Sequence, residues 1–417
     1  MSTTVDMRTL GFERNPFRVV PTESPDIWAG RSDLKNRVER IMQRTLTVSP
    51  SRAYLIWGDW GGGKTHTSRY FARQVNTKGG LAVYFELPRS SGKPTFADVY
   101  VEFVKTIGQA NLKKASEKLY SYFENIADSR VASMTTQQAS ALLDELPIQG
   151  RYILKTIEKH EQKVKMGLII NSLNSFFEEK TDFALAVYYL AKGNDEQWQT
   201  SWEWINGIKN DTSEMGIFGS VESANLSSIW GLVVKMLTFG ELIGEKPPYK
   251  AIFCFLDEFE NIDQLDSKSK LSITEGLRDA FNHSPERFCL MIAMTTENVD
   301  EIEAVIGDPL YSRILKPLIQ TIPLEKAEAK NFIKDLLTQS RFASFKAPDA
   351  FYPFAEDAIG EILSKIEEQD PSGKITPRNI LVSCGTVLEM AILASMFKSG
   401  TRSKIQPDFV EKALEPI

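Results

Sequence analysis

Short, continuous apolar runs alternate with longer stretches of helical periodicity along this chain. The runs lie at 53–57, 81–85, 251–256 and 288–294, with 318–322 as a fifth candidate. Runs of this length without polar alternation are typical of strands buried on both faces of a parallel sheet. A first helix is expected over 33–45, with Ser32 placed to cap it. The pattern predicts an α/β fold built on a parallel sheet.

A long helical stretch separates the second run from the third. It holds about 165 residues, far more than the dozen or so that one crossover requires. Helical patterning covers 95–125, 135–162, 165–192 and 223–243. We interpret roughly 111–222 as a helical insertion in a core of 33–324, preceded by an extended arm over 1–32. Four further helical segments predict a small α-domain over 325–417, at about 325–340, 354–368, 377–397 and 407–414.

The composition is that of an ordinary globular protein, but its charge is uneven. Of the 417 residues 42% are hydrophobic and 25% are charged, and the net charge of −6 excludes a uniformly basic nucleic-acid binder. Residues 1–90 nevertheless sum to +6, whereas 91–250 sum to −3 and 251–417 to −9. A strong polyanion site is therefore expected near the N-terminal third of the chain.

Cysteines and histidines are too few and too scattered for a disulfide or zinc scaffold. Cys254, Cys289 and Cys384 form no CxxC pair, and only three histidines occur. No apolar run approaches the roughly 18 residues of a membrane span, and the N-terminus has no signal-peptide core. The sequence predicts a soluble, cytoplasmic protein with no membrane partner.

One segment carries a phosphate-binding motif at a strand-to-helix junction. It consists of Gly58, Asp59, Trp60, Gly61, Gly62, Gly63, Lys64 and Thr65, and it fits G-x-x-x-x-G-K-[ST] without a gap. In such a P-loop (Walker A motif) the glycines let backbone N–H groups wrap phosphates, the lysine reaches the β- and γ-phosphates, and the last hydroxyl ligates Mg²⁺. The alternative is a Gly-rich turn that binds no nucleotide. We predict a site for ATP and Mg²⁺.

A second motif, four apolar residues followed by two acids, ends the third apolar run. Asp257 and Glu258 would lie at the carboxyl end of a buried strand, facing the crevice where phosphates bind in such sheets. In this interpretation Asp257 holds Mg²⁺ through water (Walker B), and Glu258 polarises the water that attacks the γ-phosphate. A strand that ends in solvated acids is the alternative.

Together these features resemble an AAA+ ATPase of the initiator branch, which includes origin-recognition ATPases and transposon regulators. The resemblance covers about 11–90 and 223–417 and leaves the insertion outside it. It implies an ATPase core that forms homo-oligomers and a C-terminal helical lid (residues 325–417, hereafter the lid). Asn15-Pro16-Phe17 and 27–31 resemble the linker that packs on adenine, which implies that Trp28 contacts the base. A core aromatic that anchors the arm is the alternative for Trp28.

Further roles follow from the same resemblance. Thr296 occupies the sensor-1 position and is expected to orient the lytic water, with Thr295 as second choice. Arg313 resembles the arginine finger that reaches a neighbour's γ-phosphate in trans, and Arg278 is the runner-up. Arg378 matches the sensor-2 arginine, which contacts phosphate in cis and couples the lid to the nucleotide. The alternatives are a turn-forming threonine, a surface ion pair and an ordinary capped helix.

The chain departs from that family in two ways and is more similar to another group in one. Only about 39 residues follow Arg378, so we expect no winged-helix DNA-reading domain, and the insertion has no counterpart. The P-loop aromatic, with His66 after Thr65, resembles ATP-binding proteins of bacterial phage-exclusion (BREX-type) and related defence islands. His66 is expected to pack or cap beside the nucleotide rather than to act in catalysis.

Two features of the insertion invite a nucleic-acid interpretation. Trp198, Trp202 and Trp204 could stack bases, but acidic neighbours favour a small core or a protein interface. A modest basic stretch consists of Arg151, Lys155, Lys159, Lys163 and Lys165. A solvated helix face is the default interpretation of that stretch, with contact to a DNA backbone as the alternative.

The leading hypothesis is an AAA+ ATPase that binds ATP·Mg²⁺, oligomerises with its arginine in trans and hydrolyses ATP as a switch. Its expected partners are duplex DNA and other proteins, in antiviral defence or mobile-element biology. The alternative is a regulatory or scaffolding NTPase whose nucleotide state controls docking of a protein partner on the insertion, without nucleic acid.

Overall fold

Five strands form a single, wholly parallel sheet. In the computed structural model they are β1 (Arg52–Gly58), β2 (Leu81–Glu86), β3 (Ile252–Asp257), β4 (Phe288–Thr295) and β5 (Ile319–Gln320), in the spatial order β2-β3-β4-β1-β5. The structure describes residues 7–20, 25–48, 50–87, 93–155, 157–208, 212–217, 219–220, 225–240, 246–397 and 402–415. Parallel neighbours need long crossovers, and helices supply them here.

The helices that the structure describes are α1 (Ser32–Thr47), α2 (Lys64–Thr77), α3 (Phe96–Ile107), α4 (Gln109–Val131), α5 (Thr136–Glu145), α6 (Ile148–Leu154), α7 (His160–Phe176), α8 (Thr181–Lys192), α9 (Asp195–Ile205), α10 (Leu226–Thr238), α11 (Ser267–Asn282), α12 (Val299–Ile306), α13 (Asp308–Tyr311), α14 (Lys326–Ser340), α15 (Glu356–Gln369), α16 (Pro377–Leu393) and α17 (Pro407–Ala413). None of these described helices has both the length and the apolarity needed to cross a bilayer. The expected cap of α1 was wrong: Arg31 takes the N-cap position, and Ser32 is the first helical residue.

Both faces of the sheet are buried, which explains why its strands are apolar without alternation. In β3, Ile252, Cys254 and Leu256 face one core cluster, whereas Phe253 and Phe255 face the other. Residues of α1 and α2 cover the second face, and residues of α3, α10 and α11 cover the first. The predicted fold class, an α/β parallel-sheet core with a helical insertion and a helical C-terminal domain, is confirmed.

Helix α10 returns the chain from the insertion to the sheet. The ring of Trp230 stacks on Phe103 of α3, with centroids 3.5 Å apart, and meets Phe288 of β4 edge-on. Gly231 allows a close approach to α11, because a Cβ there would lie 2.1 Å from the carbonyl oxygen of His283. These contacts join the insertion to the core that underlies the nucleotide motifs.

The helical segments around and within the insertion are divided more finely than the sequence pattern indicates. The helix expected over 95–125 is broken at Gly108, where a φ of +80° ends α3 before α4 begins. Pro147 separates α5 from α6, and the turn between α7 and α8 places Glu178 and Glu179 at positive φ. Glycine adopts positive φ readily and proline cannot donate within a helix, so both interrupt a periodic pattern.

The arm packs against the lid. Phe12 and Phe17 are buried in one cluster with the apolar faces of α14 to α17, and the ring of Phe17 lies edge-on to Phe354 at 5.8 Å. These four lid helices begin within two residues of the starts expected from sequence. Residues 1–6 and 21–24 of the expected arm lie outside the described residues.

Candidate active site

A cavity of about 660 Å³ opens where the P-loop meets the arm and the lid. Its walls come from the P-loop, the carboxyl ends of β3 and β4, the arm, and lid helices α14 and α16. The predicted site residues that line it are Trp28, Trp60, Gly61, Gly63, Lys64, Thr65, His66, Asp257, Glu258 and Arg378. Thr296 and Arg313 are not part of this lining. The structure therefore brings together all but two of the predicted catalytic and metal-binding side chains.

The P-loop closes tightly around the start of α2 because its glycines have no Cβ. A Cβ at Gly58, where φ is +146°, would lie 2.5 Å from the Thr321 hydroxyl, and one at Gly61 would lie 2.8 Å from Cβ of Arg378. The Nζ of buried Lys64 donates to the carbonyls of Gly58 and Asp59, both at 2.9 Å. The loop thus holds its lysine close against its own backbone.

Charge around Lys64 is suited to binding an anion. Burial lowers the pKa of Lys64, while the carboxylates of Glu260 and Asp257 oppose that shift. The ammonium lies at the N-terminus of α2, where the first backbone N–H groups have no partner within the helix. A helix N-terminus combined with a lysine forms a phosphate site of the P-loop type.

Asp257 ends β3 with both carboxylate oxygens engaged. The Tyr84 hydroxyl donates to Oδ2 at 2.7 Å, and the backbone N–H of Glu258 donates to Oδ1 at 2.9 Å. Burial and the adjacent carboxylate raise the pKa of Tyr84, so the phenol keeps its proton and remains a donor. Asp257 is 2% exposed and is therefore held in one orientation at the cavity. Sequence analysis missed Tyr84, which lies on β2 without a motif around it.

Glu258 leaves the strand with an unusual backbone. Its φ of +54° is in the left-handed region, a backbone conformation that residues other than glycine rarely adopt. Such strain is concentrated at functional sites, where the surrounding structure maintains it. The Glu258 carboxylate lines the cavity and accepts a long contact of 3.4 Å from the amide of Asn261. Asp257 is therefore fixed by Tyr84 and by the backbone of Glu258, whereas the contact of the Glu258 carboxylate with Asn261 is a long one.

The cavity exposes Thr295 rather than Thr296. Thr295 pairs with Gly58 in the sheet, and its N–H donates to Glu260 Oε2 at 3.0 Å. The buried Thr296 hydroxyl instead donates to Glu301 at 3.0 Å and accepts the N–H of Asn298, which closes the turn into α12. Thr295, the second choice for the sensor position, therefore lies at the cavity, whereas Thr296, the first choice, does not line it. Glu260, two residues after Glu258, is a further acid whose position sequence analysis did not use.

Arg31 is the largest omission of the sequence analysis. Its guanidinium donates to the carbonyls of Gly62 in the P-loop and of Ile322 after β5. Burial lowers the pKa of Arg31 to about 10, and the charge of Glu328 partly opposes that shift. The side chain also lines the cavity. Arg31 had been noted only as the last residue of the 27–31 linker, because it belongs to no phosphate motif of its own.

The lid contacts the first two of the four P-loop residues that the motif leaves variable. Arg378 lies over the Trp60 ring, with its guanidinium carbon 5.4 Å from the centroid, and Lys374 pairs with Asp59 at 2.9 Å. Thr376 caps α16 by accepting the N–H of Asn379, which positions Arg378 in the first turn of that helix. Asp59 and Trp60, two of the predicted P-loop residues, are therefore each in contact with a basic side chain of the lid.

Trp28 and His66 form an aromatic wall that belongs both to the cavity and to the core. The Trp28 ring lies 5.1 Å from Tyr70 and 6.0 Å from His66, and its Nε1 donates to Gly30. The Nε2 of His66 lies 3.1 Å from the Ile27 carbonyl oxygen, and burial lowers the pKa of His66. Both interpretations of Trp28, base contact and core anchor, are compatible with this position.

The two arginines considered for action in trans lie elsewhere. Arg313 follows α13, is exposed, and donates to Asn282 of α11 at 3.0 Å. Arg278 pairs with its neighbour Asp279 at 2.7 Å. Neither lines the cavity of its own chain, which is the arrangement that a role in trans requires.

The side chains at the cavity fit a nucleoside triphosphate with its magnesium. A Cβ at Gly58, Gly61 or Gly62 would lie under 3.0 Å from a neighbouring atom, so the shape of the loop requires glycine there. The cations Lys64, Arg31 and Arg378 line the cavity beside it. The Thr65 hydroxyl and the Asp257 carboxylate are hard oxygen donors of the kind that Mg²⁺ prefers. In the described part of the chain no group of three His, Cys, Asp or Glu could hold a metal by itself. A magnesium ion here would therefore depend on phosphate oxygens, as is usual for this metal.

The tryptophans of the insertion and part of its basic stretch make contacts within the protein. Trp204 is buried and donates to Gly219, while Trp198 and Trp202 pack against the same core. Arg151 donates to two carbonyls at the end of α5, and Lys165 pairs with Glu124 and Asp128. The predicted core role of the tryptophans fits this packing, and within the basic stretch Lys165 forms ion pairs with carboxylates.

No protein-family model matches this chain, and no curated protein sequence does. Similar solved structures include the ORC2 protein of Aeropyrum pernix in ADPNP–ADP complexes, at 12% identity and a TM-score of 0.48 over 96% of this chain and 71% of that one. The Drosophila ORC bound to DNA is 11% identical, with a TM-score of 0.43 over 96% and 64%. Cdc6p of Pyrobaculum aerophilum is 12% identical, with a TM-score of 0.42 over 98% and 70%. These neighbours are origin-recognition and Cdc6 proteins, and the phage-exclusion resemblance stays a prediction.

Proposed function

We propose that this protein is an AAA+ ATPase that binds and hydrolyses ATP with Mg²⁺ and uses the nucleotide state as a conformational switch. The observation that carries this proposal is the convergence of Lys64, Asp257, Glu258 and Arg378 on one cavity between core and lid. Two motifs that are some 190 residues apart in sequence meet there, and a lid residue contacts the loop that would bind phosphate.

The chemistry assigned to each side chain follows from its position. Lys64 and Arg378 would stabilise charge on the phosphoryl oxygens, and Glu258 would polarise the attacking water. Thr295 would orient that water from the adjacent strand. Thr65 and Asp257 would hold magnesium, which would supply positive charge to the phosphate site. Arg313 would complete the site of a neighbouring subunit, with Arg278 as its alternative.

We further propose that ATP-driven assembly acts on duplex DNA with partner proteins, in the cytoplasm, in antiviral defence or mobile-element biology. The positive charge of the N-terminal residues supports a DNA client, because polyanion binding depends on clustered cations. The alternative, a regulatory NTPase that docks a protein partner on the insertion, is favoured by the contacts that engage Arg151 and Lys165 of that region within the protein.

The test is steady-state ATP hydrolysis by the purified chain, alone and with duplex DNA, single-stranded DNA or RNA. Glu258→Gln should retain ATP binding and lose hydrolysis, whereas Glu303→Gln, an exposed position on α12, should behave as wild type. Stimulation by duplex DNA would support the DNA-coupled proposal. Hydrolysis that no nucleic acid alters would support the protein-docking alternative, and hydrolysis that survives Glu258→Gln would refute the assigned base.

A further inference from the structure

The structure locates the positive charge that the N-terminal third carries in excess. Several of its cations are engaged internally: Arg31 and Lys64 hold the P-loop, and Arg73 pairs with Asp26. Arg69 lies over the Tyr84 ring beside the site. The engaged cations therefore cannot account for an exposed polyanion surface, and the remaining ones include three arginines of α1.

Helix α1 carries three arginines on one face. Arg37, Arg40 and Arg44 follow each other at spacings of three and four, which places them on one side of a helix. The other side of α1 packs on the core. Its five buried residues are Val38, Ile41, Met42, Thr45 and Leu46. The arginine side is therefore turned away from the sheet.

A fourth arginine extends this surface from β1. Arg52 is on the same face of β1 as Tyr54 and Ile56, because residues two apart in a strand point to the same side. Tyr54 and Ile56 belong to the core cluster that α1 covers. Burial raises the pKa of Tyr54, and the nearby positive charges of Arg52 and Arg44 oppose that shift, so both guanidinium groups lie near one phenol. We call Arg37, Arg40, Arg44 and Arg52 the α1 basic face.

Acidic groups do little to neutralise the α1 basic face. The recorded partners of Arg37, Arg40 and Arg52 are backbone carbonyls, each taking only part of a guanidinium's donors. Among the described residues none of the four arginines forms an ion pair with a carboxylate. Glu39 pairs instead with Lys35, and Asp33 lies one turn before Arg37, at the helix start.

We propose that the α1 basic face binds the phosphate backbone of duplex DNA. Arginine matches phosphate with paired donors, and a row of such groups at regular spacing along a helix fits a polyanion with regularly spaced phosphates. Arg37 and Arg44 are about 10 Å apart along the helix axis, and one strand of B-DNA passes about three phosphates over that distance. The contact reads backbone, so it supplies affinity without sequence preference.

This inference rests on the proposed DNA client and is tested by DNA binding in a salt series. The variant Arg37→Gln, Arg40→Gln, Arg44→Gln is compared with a matched variant on the insertion, Lys113→Gln, Lys114→Gln, Lys118→Gln, which also removes three exposed cations. Binding of a labelled duplex of mixed sequence is measured by fluorescence anisotropy between about 50 and 200 mM salt. Basal ATPase activity and the melting temperature establish that both variants fold.

If the proposal holds, the α1 variant loses roughly tenfold or more in affinity, and its log–log salt slope falls by about 2.7, or 0.9 for each lost phosphate contact. Replacement of the same three arginines by lysine should restore most of the slope, because charge is kept while paired donation is lost. The insertion variant should bind as wild type does.

Three outcomes would overturn the inference. Equal affinity of wild type and the α1 variant would remove the face from DNA binding while leaving a DNA-coupled ATPase intact. Loss confined to the insertion variant would move the contact to α4. A wild-type protein with ATPase activity but no DNA binding would end both this inference and the DNA client, and would favour an acidic protein partner for the same arginines.

Discussion

Lys374 of the lid lies 2.9 Å from Asp59 of the P-loop. Asp59 is the first variable residue of the P-loop, and Lys374 lies in the segment just before α16. Four residues after Lys374, Arg378 contacts the ring of Trp60, the next residue of the P-loop. The hydrogen bond that Lys374 donates to the Asp59 carboxylate raises the pKa of Lys374, so the ammonium keeps its proton at physiological pH. The lid is therefore held to the loop at two adjacent residues, and its opening must break both contacts.

Lys374→Ala should accelerate nucleotide release. A partly exposed ion pair contributes up to about 1 kcal/mol, so the dissociation rate of a fluorescent ADP analogue should rise roughly two- to fivefold in stopped-flow measurements. The reversed pair, Asp59→Lys with Lys374→Asp, should recover part of the slow release. Lys326→Ala, which removes the Lys326–Glu367 pair within the lid, is the control; an equal acceleration there would assign the effect to lid stability.

Arg31→Lys should make nucleotide affinity depend on pH. The same burial that lowers the pKa of Arg31 to about 10 would also lower the pKa of a lysine at this position, which starts from a lower ordinary value than arginine. As pH rises the lysine therefore loses its proton before the arginine does, and its hold on the Gly62 carbonyl weakens. ATP affinity of this variant should fall as pH rises above 7, measured by titration calorimetry, while wild type stays flat. A flat profile in both would show that the charge at residue 31 does not support the P-loop.

Thr295→Val and Thr296→Val should separate catalysis from turn structure. Loss of the Thr295 hydroxyl is expected to lower kcat with ATP affinity kept, because that side chain lies at the cavity. Loss of the Thr296 hydroxyl removes its bond to Glu301 and should lower the free energy of unfolding by about 1 kcal/mol with kcat retained. The opposite assignment of the two effects would return the sensor role to Thr296.

Arg313→Ala should keep ATP binding and lose turnover in the assembled protein. Mixing it with Glu258→Gln subunits should restore hydrolysis, because each kind of subunit lacks a different half of a shared site. The same mixing experiment with Arg278→Ala tests the alternative arginine. If neither mixture recovers activity, an arginine acting in trans has no support, whatever the affinity of the single variants.

Two helix glycines should respond to alanine in opposite ways. Gly231→Ala introduces a methyl group 2.1 Å from the His283 carbonyl and should destabilise the protein by about 2 kcal/mol or more, as overpacking does. No atom lies within 4 Å of a Cβ at Gly360 in α15, so Gly360→Ala should stabilise by about 0.5 to 1 kcal/mol. Denaturant unfolding measures both. Destabilisation by Gly360→Ala would contradict the open space on that side of α15.

Local sequence was sufficient wherever a property depends on neighbours along the chain. The apolar runs of the strands and the Gly-rich P-loop are continuous segments, and the starts of α14 to α17 carry local signals such as Pro377 after a capping threonine. The helix breaks at Gly108 and Pro147 had equally local causes that the periodic pattern concealed. Their residue types mark them clearly once the breaks are known.

Side-chain direction at the end of a strand was beyond local reasoning. Thr295 and Thr296 are adjacent and chemically identical, and only pairing with Gly58 and the turn into α12 decide which one reaches the cavity. Arg31, Tyr84 and Glu260 were missed for the same reason, since each acts on a residue distant in sequence.

Periodicity and the steric demands of a phosphate loop are short-range properties, so the fold class and the two nucleotide motifs could be predicted from the chain alone. The folded arrangement was needed to find that Lys374 and Arg378 contact the P-loop, that Lys165 of the insertion pairs with carboxylates, and that three arginines share one side of α1. Charge and packing act through space, so the partners of a side chain depend on which elements the fold brings beside it.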